Sequence, residues 1–206
     1  MNFKKKIDFI TESEKSEIMN FVHSYKKQDF YITNDHIKEI NMATNGWSVL
    51  CDLTKTIVSE EVSKFQGDAT QIEEVPEIFH LLHNRISETL MISSDNVFFQ
   101  CIYLGENGEV KRHYDAGKPG YITYKCNVFI DGPDVDFVYV GDSIKKINKL
   151  DLYCFEANLY KHWMDKSESP RVHLSYGFLI PCGDLGWHED HPRIRLSNRI
   201  WRHYIK

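Results

Sequence analysis

Apolar residues recur at helical spacing early in the chain and at strand spacing later. Ile18, Met19, Phe21, Val22 and Tyr25 form a 3.6-residue stripe. They follow Thr11-Glu12-Ser13-Glu14-Lys15, whose capping hydroxyl and early acids suit a helix start. A second stripe is made by Ile78, Phe79, Leu81, Leu82, Ile86, Leu90 and Met91. It opens at Val75-Pro76-Glu77, with proline at a tolerated first-turn position. Leu53 to Phe65 is a weaker helical candidate.

From Asn96 the texture changes. Residues 97–103, 121–130, 136–140, 150–155 and 171–180 are rich in β-branched and aromatic side chains. Turns such as Gly105-Glu106-Asn107-Gly108 and Asp131-Gly132-Pro133-Asp134 separate them. Helices first and short strands afterwards predict a mainly β protein with N-terminal helices (α+β), its strands in a sandwich or jelly roll. No repeat, low-complexity tract or linker divides the 206 residues. The expectation is one domain over 1–206, with a helical part at 1–95, a strand-rich core at 96–181 and a C-terminal extension at 182–206.

Hydrophobic content of 42% and charged content of 27% are those of an ordinary globular protein. A net charge of −5 gives no global basic field and argues against nucleic acid as a partner; the basic segment 193–206 is a local exception. Five scattered cysteines without a C-x-x-C pair argue against a disulfide framework or zinc knuckle, and for a reducing cytoplasm. Lys4-Lys5-Lys6 precedes no apolar stretch of signal-peptide type, and no run is long enough to span a membrane. A cytoplasmic protein with no membrane partner is therefore expected.

The strongest chemical pattern is His113-Tyr114-Asp115 followed by His162 and Arg171. On an extended segment His113 and Asp115 point to the same side. An imidazole and a carboxylate held in that way can take adjacent positions on one metal ion. A histidine from a later strand completes a two-histidine, one-carboxylate triad, which leaves positions open and suits non-haem Fe(II) oxygen chemistry. Arg171, nine residues after His162, offers a bidentate donor for a carboxylate-bearing co-substrate. His173 is a rival distal ligand, although the next arginine after it is then Arg193.

Other clusters carry less. His80 and His83 share a helix at i, i+3 spacing, and Trp187-His188-Glu189-Asp190-His191 gathers two histidines and two acids. Surface roles account for both, since structural zinc sites want four well-spaced ligands. Arg193, Arg195, Arg199 and Arg202, with Trp201 and Tyr204, suit a solvated amphipathic helix, with an edge for an acidic partner or nucleic acid as the alternative. No P-loop, G-x-G-x-x-G or G-x-S-x-G is present.

The combined pattern resembles the Fe(II)/2-oxoglutarate-dependent dioxygenase superfamily. Gln100-Cys101-Ile102-Tyr103, ten residues before His113, is similar to the Q-x-x-Y strand of prolyl hydroxylases. The stretch from Phe155 to His162, continuing through Arg171-Val172-His173-Leu174-Ser175, resembles the distal-histidine region of aspartyl/asparaginyl β-hydroxylases and free-proline hydroxylases. The resemblance spans roughly residues 96–181 and implies a double-stranded β-helix (jelly-roll, cupin-like) core. It implies His113, Asp115 and His162 as catalytic iron ligands, with Arg171 on the distal carboxylate of 2-oxoglutarate. It further implies Tyr103 across the same pocket and Lys125 and Asn127 at the other carboxylate, where they replace an arginine and a histidine of the family pattern. Ser175, with His173, shares the face of Arg171 by period-two counting.

The activity so implied consumes Fe(II)-bound 2-oxoglutarate and O2 and hydroxylates a C–H bond. A free amino acid, an amino-acid-derived small molecule or a peptidyl residue is the expected substrate. An AlkB-type nucleic-acid demethylase and a non-enzymatic cupin-like metal- or ligand-binding protein are the alternatives. Residues 116–120 would form a mobile lip, with Lys118 meeting a substrate carboxylate.

Overall fold

The computed structural model describes residues 3–26, 43–51, 70–72, 75–92, 97–115 and 117–204. The weak helical candidate at 53–65, and Ala116 of the expected lip, lie outside them.

Helix α1 (Glu12–Lys26) begins where the capping pattern places it. The Thr11 N–H donates to Glu14 Oε2 at 2.8 Å and the Glu14 N–H to Thr11 Oγ1 at 3.2 Å, so two otherwise orphaned donors are satisfied reciprocally. Helix α2 (Glu77–Leu90) has Pro76 at its N-cap, one position earlier than expected, and Met91 at its C-cap in the left-handed region (φ 54°). Its buried face is Ile78, Phe79, Leu82, His83 and Ile86. Leu81 and Met91, expected on that face, are exposed. Leu81 lies one residue, about 100° of turn, from Leu82, and Met91 is past the helix end. Arg85 of α2 donates from Nη1 to Glu14 Oε2 at 3.1 Å and to the Phe9 carbonyl at 3.2 Å, tying the two helices together.

Ten described strands form one curled sheet. They are β1 (Lys4–Lys6), β2 (Ala43–Cys51), β3 (Thr70–Ile72), β4 (Val97–His113), β5 (Tyr121–Asp131), β6 (Val135–Val140), β7 (Ser143–Asn148), β8 (Leu152–Glu156), β9 (His162–Met164) and β10 (Arg171–Pro181). The order is β1-β8-β5-β10-β4-β9-β6-β7, with β2 also on β4 and β3 on β2. Every pairing is antiparallel except β2 with β3. This is the mainly β jelly-roll arrangement expected. The N-terminal part is less helical than expected, since β1, β2 and β3 all come from it.

Strand β4 is the hinge of the architecture. Val97 to Leu104 pairs with β10, whereas Val110 and His113 pair with β9. The expected turn at residues 105–108 is instead a corner within one continuous strand. Asn107 adopts φ 59°, and its N–H donates to the Ser167 carbonyl at 2.7 Å. Strand β2 follows both sides of the corner, its register jumping from Thr44↔Glu109 to Gly46↔Leu104. That pairing carries β4 onward where Gly-x-Asn-Gly alone would favour a reversal.

Two cores lie on opposite faces of the sheet. One joins Ile18, Val22, Phe79, Leu82 and Ile86 of the helices to Phe99, Cys126, Leu174, Tyr176 and Phe178. The other fills the curl with Phe129, Val138, Val140, Ile147, Tyr153 and Phe155. Strand β10 is therefore two-faced: Val172, Leu174, Tyr176 and Phe178 meet the helices, and Arg171, His173 and Ser175 face into the curl.

The Arg85 guanidinium bonded to Glu14 brings that carboxyl down to about 2, outweighing the smaller upward effect of burial. A folded-state value below the unfolded one, near 4.3, stabilises the fold above that unfolded value and loses the contribution as pH falls through about 2. Glu14→Gln should lower Tm at pH 7, and the gap from wild type should close between about pH 4.5 and 2 in a thermal-melt series.

Candidate metal centre and interior pocket

The corner in β4 delivers His113 to the position directly opposite His162 of β9. Asp115 follows just beyond the strand, fixed by its N–H donating to the Ala157 carbonyl at 3.1 Å. His113 Nε2 lies 3.1 Å and His162 Nε2 3.3 Å from Asp115 Oδ1, with the two imidazole centroids 4.3 Å apart. One ligand atom from each residue lies within 4.8 Å of those of the other two. Among the described residues this is the one such cluster; His80, His83, His173, His188 and His191 do not join it.

The tautomers are set from behind. His113 Nδ1 is 2.6 Å from the Lys111 carbonyl and His162 Nδ1 is 3.2 Å from the Tyr160 carbonyl. A carbonyl only accepts, so each Nδ1 carries the proton and each Nε2 presents a lone pair towards Asp115. In that tautomer both Nε2 lone pairs and one carboxylate oxygen are turned to a common point, the donor set that a divalent cation takes. Burial pushes the His162 imidazole down to about 4, keeping it neutral as ligation requires. Burial alone would raise the Asp115 carboxyl, but the Lys125 ammonium beside it foremost outweighs this and holds it well below the usual range. Lys125 Nζ stands 3.0 Å from Asp115 Oδ2, leaving Oδ1 as the oxygen turned to the histidines.

Behind this mouth the curl has a polar lining. Ser175, Asn127 and Tyr153 are direct cross-strand neighbours on β10, β5 and β8, and Lys125 and Phe155 are the next such pair. Phe155 packs edge-on against His162 with centroids 4.9 Å apart. Asn127 Oδ1, Ser175 Oγ, His173 Nε2, His162 Nε2 and Arg171 Nε are all buried without a protein partner. Buried polar atoms seldom stay unpaired, so this concentration marks a place for a polar guest.

The expected residues are thus only partly brought together. His113, Asp115 and His162 converge and Lys125 reaches Asp115, while Asn127 and Ser175 are cross-strand neighbours facing into the curl. Arg171 faces it too, fully buried, but with both terminal nitrogens committed. Nη1 donates to Asp136 Oδ2 at 3.1 Å; Nη2 donates to the Gly108 carbonyl and, at 2.8 Å, to that of Asp165. Tyr103 is a correction: it pairs directly with Val172 and packs against the helix-side core, on the sheet face opposite Arg171, His173 and Ser175. The corner after Leu104, not a turn, lets His113 face the interior although Tyr103 does not. The expected lip is corrected as well, because Gly117 is buried, whereas Lys118 is exposed over the Tyr121 ring at 4.8 Å. Asp136, Tyr153 and Phe155 were not foreseen as interior residues; alternation in Leu152-Tyr153-Cys154-Phe155 was the available signal.

Solved structures resemble this architecture. A prolyl-4-hydroxylase from Pseudomonas putida superposes with TM-score 0.54 at 10% identity, over 86% of this chain and 92% of that one. The collagen prolyl hydroxylase of Paramecium Bursaria Chlorella virus-1, in complex with 2-oxoglutarate, gives 0.56 at 12% identity over 87% and 97%. OsALKBH1 gives 0.57 at 11% identity over 85% and 97%. No family model matches the chain, and no curated protein matches its sequence. None of the described helices is long and apolar enough to cross a membrane.

Asp115→Ala and His162→Ala should each weaken divalent-metal binding by at least about a hundredfold in titrations with Co(II), followed by its absorption. His173→Ala should leave that affinity unchanged.

The chain shares the fold of solved prolyl hydroxylases and of OsALKBH1, and it brings His113, Asp115 and His162 together as a His-Asp-His cluster.

Proposed function

We propose that this protein is an Fe(II)/2-oxoglutarate-dependent dioxygenase that hydroxylates a substrate C–H bond. The observation that carries the reading is the His113–Asp115–His162 cluster: two imidazole Nε2 atoms and one carboxylate oxygen converge, leaving the rest of a metal's coordination sphere for other ligands. Iron held there supplies the coupling of oxidative decarboxylation of 2-oxoglutarate, to succinate and CO2, with insertion of one oxygen atom of O2 into the substrate.

The chain's own residues prepare that chemistry. Carbonyls behind His113 and His162 fix the tautomers, Lys125 turns Asp115 so that one oxygen is free to ligate, and Phe155 shields His162 from water. Charges beside the interior pair off, Arg171 with Asp136 and Lys125 with Asp115. A divalent metal therefore adds two uncompensated positive charges, which a dicarboxylate 2-oxo acid balances.

For the substrate, a free amino acid, a small amino-acid-derived molecule or a peptidyl residue is one reading, supported by the fold likeness to prolyl hydroxylases. AlkB-type demethylation of nucleic acid stands equally beside it, supported by the likeness to OsALKBH1. The helix α3 (Pro192–Tyr204) adds Arg193, Arg195 and Arg199 to that second reading, so net acidity does not decide against it.

The deciding measurement is succinate by mass spectrometry. Anaerobically purified, Fe(II)-loaded protein is given 2-oxoglutarate and O2 with panels of amino acids, proline-containing peptides and N-methylated oligonucleotides. Substrate-dependent succinate that His113→Ala abolishes is expected, and the responding panel names the class. Succinate no higher than in the His113→Ala control, across all panels, would sink the reading.

A further inference from the structure

Two thiols stand on one rung of the sheet. Cys126 of β5 is the direct cross-strand partner of Cys154 of β8, and both side chains enter the core beneath the helices. The thiols lie within hydrogen-bonding reach of each other, and Cys126 Sγ also donates to the Tyr124 carbonyl at 3.9 Å. Directly paired residues of antiparallel strands have Cα atoms about 4.5–5.5 Å apart. A disulfide asks for about 4.4–6.8 Å, so this rung can be bridged with little backbone movement. Cys101, by contrast, is paired with Leu174 and Val49.

Both thiols are buried, and burial holds that of Cys126 well above its usual range, so it stays protonated while the sheet edge is closed. That edge is slight. Strand β8 lies between β5 and β1, and β1 is three exposed lysines with Lys4 directly opposite Cys154. Lys5 anchors it, its Nζ lying 2.8 Å from Asp151 Oδ2 and donating to the Lys146 carbonyl at 3.2 Å. A strand so short and so little buried opens locally at small cost. A cavity of about 410 Å³, whose lining includes Lys4, Tyr124, Leu90, Ile180 and Leu185, reaches the same edge. Tyr124 is close enough to feel both thiols, so the cavity and the pair share it as a neighbour.

The rung matters to the metal cluster. Lys125 and Phe155, the next residues along, are cross-strand partners on the opposite face. Lys125 Nζ stands 3.0 Å from Asp115 Oδ2, and Phe155 packs on His162 with centroids 4.9 Å apart. A bridge would draw the two Cβ atoms from about 4.5–5.5 Å to about 3.8 Å and so shift both of these supports.

We infer that Cys126 and Cys154 are a reversible disulfide site, reached by peroxide when β1 parts from β8, and that closing the bridge weakens the hold of His113, Asp115 and His162 on a metal ion. One sulfur, as thiolate, attacks a peroxide oxygen; the O–O bond breaks, a sulfenic acid forms and water leaves. The second sulfur attacks the first, the S–O bond breaks, the S–S bond forms and a second water leaves. The thiols give up two electrons and two protons, and one H2O2 becomes two waters. The effect on metal rests on the dioxygenase reading; the bridge does not.

The test treats metal-free protein with hydrogen peroxide, alkylates it after unfolding and weighs it by mass spectrometry. Two fewer of the five cysteines should take the label, a peptide pair joined through Cys126 and Cys154 should appear, and dithiothreitol should restore both thiols. Cys154→Ala should abolish the loss, and Lys5→Ala, which removes the anchor of β1, should speed bridging. With peroxide removed, Co(II) should bind the bridged protein about tenfold more weakly than the reduced protein, as when the support behind a metal ligand is disturbed. Peroxide-treated Cys154→Ala should bind it as before. Cysteines that stay reduced, or oxidise singly without a bridge, overturn the site. An unchanged rate in Lys5→Ala overturns the route through β1, and equal Co(II) affinity in the two states overturns the link to the metal cluster. Reduced protein that takes up no Co(II) overturns the metal centre itself, a failure kept apart because the bridge is read without metal.

Discussion

A fully buried guanidinium is the constraint around which this structure is arranged. Arg171 is fully buried, and a charge taken out of water must be met by a carboxylate and by acceptors for its donors. Three parts of the chain meet it: Asp136 from β6, the carbonyl of Gly108 at the corner of β4, and the carbonyl of Asp165 just after β9. Those are the segments that must stay together if β4 is to leave one half of the curl and enter the other. The corner in turn sets where β4 ends, and so where His113 meets His162. The meeting of His113 and His162 is thus inherited from a charge-burial problem solved elsewhere in the sheet.

The two faces of β10 show how stability and function are divided. The face towards the helices is continuous apolar packing, with Phe79, Phe99 and Tyr176 rings 4.6–5.1 Å from their aromatic neighbours. The other face carries polar atoms without protein partners, each of which costs folding free energy, on the order of 1–3 kcal/mol, unless something meets it. A protein tolerates that concentration where a ligand completes the bonding. Helices α1 and α2 therefore do more than cover the sheet: they supply the apolar burial that lets the opposite face remain unsatisfied.

Much of this was legible in the amino-acid order, and the failures have physical causes. The reciprocal Thr11–Glu14 cap, the stripe of α2 and the long apolar strands β5 and β10 express local periodicity, which a sequence displays directly. His113-x-Asp115 is equally local. The corner in β4 was hidden because Gly105-Glu106-Asn107-Gly108 has turn chemistry, and its outcome is decided by pairing with the distant β2. Strand β9 is three residues long and β7 has only two apolar residues, Ile144 and Ile147, so neither has enough pattern to declare itself. Tyr103 was assigned to the wrong face for the same reason as the missed corner, since a strand that bends resets its own alternation. The commitment of Arg171 to Asp136 is a tertiary fact with no local trace.

The buried glycine at 117 ties the metal loop to the far end of the fold. A β-carbon there would collide with the amide of Asn158 and come within 2.7 Å of Ser197 Oγ on α3. Asn158 itself bonds that hydroxyl at 2.9 Å and receives the Thr123 N–H at 2.9 Å. The segment leaving Asp115 is threaded through a slot one hydrogen atom wide, with the C-terminal helix as one wall. Drift in the sequence of an outer helix is therefore filtered by the loop that carries Asp115. A fusion or graft that shifts this helix would press first on the Gly117 backbone, two residues from Asp115.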